Sequence, residues 1–175
     1  MARTRAAILA ATEACVADVG ARATTMSAVA LRGRIAKATL YNHFRTKSEL
    51  LDAVVQARIQ TCRTAALAAP DLAEALRLTA RSLSGLAGVA GLAAHDPAAL
   101  ARLTAAGDGP GWTAARAAVS EVLARHGRDA DASARELVLR WLTSQLLWAG
   151  EEAERDLAAA ILAAGLPQRD SMEST

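Results

Sequence analysis

Eight consecutive residues, Lys37-Ala38-Thr39-Leu40-Tyr41-Asn42-His43-Phe44, concentrate the recognisable chemistry of this 175-residue chain. Read as a helix, they have two different faces. Leu40 and Phe44 are four apart, so they share one side and can plug a small core. Lys37 and Tyr41, Ala38 and Asn42, and Thr39 and His43 are also four apart and point away from that side. The outward face is then cationic, hydroxylated and amide-bearing, with a small alanine that permits close approach. A DNA major groove suits such a face. Phosphates accept from Lys, Tyr and Thr, while base edges take Asn or Lys. An ordinary solvated helix face has the same look, and the octapeptide alone does not separate the two.

So short a helix must be held by its neighbours. From Arg3 to Val19, Ile8, Leu9, Thr12, Cys15, Val16 and Val19 recur at helical spacing, with Gly20 as a stop. Thr24-Thr25 precede a short second helix from Met26 that ends near Gly33; a threonine hydroxyl can accept an orphan N–H at a helix start. Ile35 plugs the turn. The third helix runs from Ala36 to His43 or Phe44. Either Thr46 or Ser48 can cap the fourth; Thr46 has Glu49 three residues on, as in a capping box, and the helix runs toward Ala69, where Pro70 stops it. Asp71 caps a helix to Ala87, and Gly85, Gly88 and Gly91 then loosen the chain. Asp96-Pro97 opens a helix to Ala106. Residues 107–111 form a loop. Trp112 to His126, Asp131 to about Gly150, and Glu151 to Ala164 complete the helices, and 168–175 is a frayed tail.

Composition bounds the class. Hydrophobic residues make up 53% but aromatics only 3%, so the core must be built from Ala, Leu and Val. With β-branched residues sparse, an all-α fold follows. No apolar run approaches the roughly 20 residues of a membrane span, and the N-terminus is amphipathic, which predicts a cytoplasmic protein away from membranes. Cys15 and Cys62 sit in separate helices and read as free thiols, buried or partly buried. Two cysteines and three scattered histidines make no metal-ligand spacing, so no metal and no cofactor is expected. No nucleophile–base pair stands in a motif and no phosphate loop is present, so the chain does not read as an enzyme.

The net charge of +2 conceals an asymmetry. Residues 1–63 hold ten Lys/Arg against four acids, a net +6, which leaves −4 for the rest. A basic front on an acidic body suits a polyanionic partner. A helical module whose basic front binds an acidic protein remains the alternative of another class.

Helices two and three with their turn satisfy the helix-turn-helix plan. Over residues 5 to about 55 the chain resembles the DNA-binding domain of TetR-family bacterial transcription regulators. The resemblance is carried by Ile8-Leu9-Ala10-Ala11, Gly20, Thr24-Thr25-Met26, Val29-Ala30, Lys37 through Phe44, Lys47, Leu50 and Leu51. It implies an N-terminal three-helix DNA-binding head with helix-turn-helix (1–46), joined to a larger C-terminal helical ligand-binding and dimerisation body (47–175). It also implies phosphate contacts for Thr25, Tyr41 and Lys47, with Lys37, Ala38, Thr39, Asn42 and His43 facing bases and flanking backbone.

Two positions depart from the family's pattern. The glycine usual at the turn is Arg34 here, with Gly33 one place early, so Arg34 adopts an unfavourable backbone angle unless Gly33 absorbs the bend. Ala36 stands where a capping Ser or Thr is common. Arg34, beside the recognition helix, is a further candidate for phosphate.

For the body the resemblance implies a homodimer in which the last two helices pair with their mates. Ala158, Ile161 and Leu162 on the last helix, with Trp141, Gln145 and Trp148 on the one before, could form that surface, or could pack within one subunit. A dimer also matches a palindromic operator in double-stranded DNA. By the same analogy the body holds a small-molecule effector, for which Arg77, Arg81, His95, Trp112 and His126 are candidate lining groups. The expected function is a repressor released by a small apolar or amphipathic ligand.

Overall fold

A computed structural model describes residues 2–148 and 150–169, and among them ten helices and no strand. They are α1 (Ala2–Ala23), α2 (Met26–Arg32), α3 (Lys37–His43), α4 (Lys47–Ala68), α5 (Leu72–Ser84), α6 (Ala87–His95), α7 (Pro97–Thr104), α8 (Pro110–Arg125), α9 (Ala132–Leu147) and α10 (Glu152–Gly165). Two compact units contain them. The head runs up to Ala57 and includes Leu86–Gly107; the body comprises Arg58–Gly85 and the residues from Asp108 on. Among the described residues no helix is long and apolar enough to cross a membrane.

The head is built around Ile8, Leu9, Ala11 and Cys15 of α1, Val29 and Ala30 of α2, Leu40 and Phe44, and Leu50 and Ala53 of α4. Burying a Leu or Phe side chain stabilises by roughly 1.5–3 kcal/mol, so Leu40 and Phe44 fasten the short α3 to its neighbours. Cys15 and Cys62 are free and buried, and burial pushes the Cys15 thiol up from its ordinary value. At Gly20 the chain of α1 breaks helical geometry, with φ +77° and ψ 169°, and then makes one further turn to Ala23. Buried Thr24 donates its hydroxyl to the Gly20 carbonyl at 2.7 Å, which leaves Thr25 to cap α2.

Gly88 and Gly91, expected to loosen the chain, lie inside α6 instead. A Cβ on Gly91 would stand 2.4 Å from the carbonyl oxygens of Val16 and Ala17. That glycine lets α6 cross α1 with backbones nearly touching. Buried Asp96 secures the crossing. One carboxylate oxygen accepts from the Arg22 amide at 2.8 Å, and the other caps α7 at the Ala99 amide, 3.1 Å away.

In the body, α5 buries Leu72, Ala75, Leu76 and Ala80 against residues of α8, α9 and α10. Alanines at 75, 80, 159 and 163 permit close helix approach, which is how a core nearly free of aromatics closes. The helix starts follow local rules. Asp71 and Asp131 accept from amides three residues on at 2.8 and 2.6 Å, Glu151 and Glu154 form a capping box, and Pro110 opens α8 two residues before the expected Trp112. The tail is not frayed at its start: Gln168 pairs with Arg128, and the Arg169 amide donates to the Gly127 carbonyl at 3.0 Å. Residues 170–175 of that expected tail lie outside the described residues.

Candidate nucleic-acid interface

The helix-turn-helix is assembled by caps and one forced bend. Thr25 is extended and its hydroxyl oxygen accepts from the Ala28 amide at 3.1 Å. Its own hydroxyl hydrogen stays free to donate outward. Gly33 closes α2 in ordinary right-handed geometry, φ −76°. The bend falls on Arg34, at φ +51°, the sole non-glycine in left-handed backbone among the described residues. A Cβ on Gly33 would lie 2.9 Å from Ile35 Cδ1, the movable end of that side chain, and 3.3 Å from Ala11 Cβ. A non-glycine in this region costs about 1–3 kcal/mol. Ala36, the N-cap of α3, supplies no side-chain bond, a further local loss of about 0.5–2 kcal/mol.

On α3, Leu40 is buried, while Lys37, Ala38, Tyr41 and Asn42 are exposed and Thr39 and His43 half-buried on the flanks. The outward face is therefore narrower than the four-residue spacing suggests and centres on Lys37, Ala38, Tyr41 and Asn42. Phe44 ends the helix, its amide donating to the Leu40 carbonyl at 2.9 Å. Thr46 caps α4 by accepting from the Glu49 amide at 3.1 Å, but Glu49 reaches back to the Arg45 amide, one residue short of a true capping box.

Lys47 has a duty that sequence reasoning missed. Its ammonium donates to the Ala21 and Arg22 carbonyls at 3.2 and 3.0 Å, satisfying the end of α1 opened by the Gly20 break. One N–H of the three remains for another acceptor. Arg5 was also missed. Its guanidinium carbon lies 5.3 Å from the Phe44 ring centroid, at the end of α3. The two residues are 39 apart in sequence, and no local spacing signals the contact. Arg32, by contrast, is neutralised by an ion pair with Asp18.

The effector candidates are dispersed. His95 is exposed at the end of α6 in the head unit. In the body, Arg81 pairs with Glu152 and lies 3.8 Å from Asp156, fastening α5 to α10. Arg77 pairs with Glu74 while its Nε is buried without a partner among the described residues. Trp112 packs on the body core under the Arg116 guanidinium, 5.8 Å from its centroid. The His126 ring holds the Ala66 carbonyl at 3.1 Å. Of the candidate interface residues, Trp148 and Ile161 are exposed, Ala158 half-buried, Trp141 and Leu162 partly buried against the core, and Gln145 buried.

A supporting helix, a tight turn and a short polar-faced helix define a helix-turn-helix protein of all-α build. Residues 8–54 match the family described as bacterial regulatory proteins, tetR family. No curated protein matches the chain. Solved structures resemble it over nearly their whole length, among them these three. One, a protein addressed to the molecular basis for control of antibiotic production by bacterial hormones, superposes with TM-score 0.64 at 22% identity, covering 95% of this chain and 98% of that one. FadR of Bacillus subtilis, in complex with stearoyl-CoA, gives 0.57 at 16% over 91% and 97%. A TetR variant from Acinetobacter baumannii AYE, in complex with minocycline, gives 0.54 at 21% over 92% and 91%. At such identities the likeness to these structures is one of fold.

Proposed function

We propose that this protein is a transcriptional regulator, a homodimeric repressor that grips a palindromic operator through α3 and is released by a small apolar or amphipathic ligand. The observation that carries the DNA reading is the outward face of α3. It presents an ammonium, a phenol and an amide around Ala38, on a helix fastened from behind by Leu40 and Phe44. Thr25, Tyr41 and the spare N–H of Lys47 are placed to donate to phosphates, Lys37 and Asn42 to read base edges, and Thr39 and His43 to contact the flanks. The functional division is a DNA-binding segment 1–46 and a sensing and pairing segment 47–175, working in the cytoplasm.

The dimer reading is supported by apolar side chains that the body leaves in water. On α10, Leu157 and Ile161 are 63% and 62% exposed and four residues apart. On α9 and at its C-cap, Leu137, Leu147 and Trp148 are 49%, 60% and 77% exposed. Such patches mark contact surfaces, and a two-fold dimer doubles the DNA contacts. The buried Gln145 belongs to the interior of this face and not to its surface. For the ligand, the apolar body and the half-buried Trp112 and Arg77 favour an amphipathic molecule; the structural relatives that hold stearoyl-CoA or minocycline share this fold.

The test is a selection of bound sequences from random duplex DNA, followed by a salt titration of the enriched duplex. A palindrome whose affinity falls steeply with salt is expected. Failure to enrich any sequence would favour an acidic protein as the partner of the basic front.

A further inference from the structure

We propose that Arg5 and Arg34 grip backbone phosphates at opposite ends of α3 and so fix how the recognition helix lies on duplex DNA. This rests on the DNA-binding reading above and adds to it two positioning residues, one of them outside the helix-turn-helix.

Arg34 occupies the bend before α3 with left-handed backbone, φ +51°. Glycine would hold that conformation without strain. Gly33 does not take over the bend: it stays in right-handed geometry at φ −76°. An arginine has no short side chain to hydrogen-bond its own backbone and ease the position, as Asn or Asp can. Its guanidinium is exposed, and among the described residues no acidic group pairs with it. Nothing inside the head uses the charge, and backbone strain kept at an exposed, uncompensated cation points outward.

Arg5 is exposed on α1, and the Phe44 ring holds its guanidinium at 5.3 Å. A guanidinium resting on a ring face keeps its N–H fork free in its own plane, ready for a phosphate. Phe44 is the residue that closes α3, so Arg5 is stationed at that end. The helix has seven residues, about 10 Å at 1.5 Å per residue. The major groove is about 12 Å wide. A helix seated in that groove has phosphates beyond both of its ends, and a cation stands at each end of α3.

Phosphate contacts set register and carry no sequence information. The test therefore compares wild type with Arg5→Gln, Arg34→Gly and Arg34→Lys on two probes: the duplex enriched by selection, and a mixed-sequence duplex of about 30 base pairs. Arg5→Gln and Arg34→Gly should each bind both probes roughly tenfold more weakly, and each should lower the slope of log affinity against log salt by about one. Arg34→Gly should also melt at a higher temperature, which rules out misfolding as the cause. Arg34→Lys should keep the slope. An unchanged slope in Arg34→Gly or in Arg5→Gln overturns the role of that arginine. Weaker binding confined to the enriched duplex would make the residue a base reader and overturn positioning. If wild type bound neither probe, the DNA reading itself would fall, and this proposal with it.

Discussion

Ala36 has the extended backbone of a helix cap, φ −60° and ψ 137°, but a methyl group where an oxygen would serve. Ala36→Ser should therefore raise stability by about 1 kcal/mol in urea unfolding, since the new hydroxyl can accept one of the orphan amides of α3. No gain would mean that those amides are already satisfied. At this scale the sequence was readable wherever the cause is local. Thr25, Asp71 and Asp131 cap as their types require, because a side-chain oxygen and an amide three residues away need nothing else. Arg34 was readable only as an alternative: Gly33 or Arg34 had to bend, no local rule chooses between two adjacent residues, and the bend falls on Arg34. Lys47 and Arg5 were not readable, because their partners lie 25 and 39 residues away.

Nine of the ten described helices followed from period and punctuation, but α6 and its packing did not. Glycines at 85, 88 and 91 look alike in sequence, and flexibility is the natural reading of three in seven residues. They differ only in what faces them. Gly91 meets the α1 backbone at 2.4 Å, Gly88 meets nothing closer than 4.0 Å, and Gly85 meets nothing within 4 Å. Gly91→Ala must push α6 off α1, since backbone oxygens cannot rotate aside, and should cost about 3 kcal/mol or more. Gly88→Ala removes unfolded-chain freedom in a helix without a clash and should gain about 0.5–1 kcal/mol. Thermal unfolding of the pair checks this. Equal effects would show that the α1–α6 crossing is looser than its geometry implies. The Asp96–Arg22 bond explains why no local rule could find this crossing, as 74 residues separate its ends.

For the molecule as a whole, charge and apolar surface set different conditions. The Glu121 and Glu136 carboxyls are held below their ordinary values, first by hydrogen bonds from Arg63 and Arg116. A carboxyl lower in the folded than in the unfolded protein stabilises fully above its unfolded value, and that contribution disappears as pH falls through the folded one. The melting temperature should thus drop from about pH 5 downward, modestly because both pairs are solvent-screened. Glu121→Gln with Glu136→Gln should melt lower at pH 7 and lose less on acidification; a parallel loss would place the acid sensitivity elsewhere. The exposed apolar side chains of α10 and of the end of α9 raise the second condition, because water contact at Leu157, Ile161 and Trp148 is unfavourable unless a second copy covers them. Leu157→Asp with Ile161→Asp leaves the intrachain core untouched, since both side chains point to solvent. The double variant should sediment as a folded monomer. With one head per molecule in place of two, its affinity for the selected palindrome should fall at least tenfold and the magnitude of its salt slope should roughly halve. A variant that stays dimeric would move the interface away from α10. A monomer with undiminished operator affinity would instead mean that one α3 suffices, and the palindrome would lose its reason.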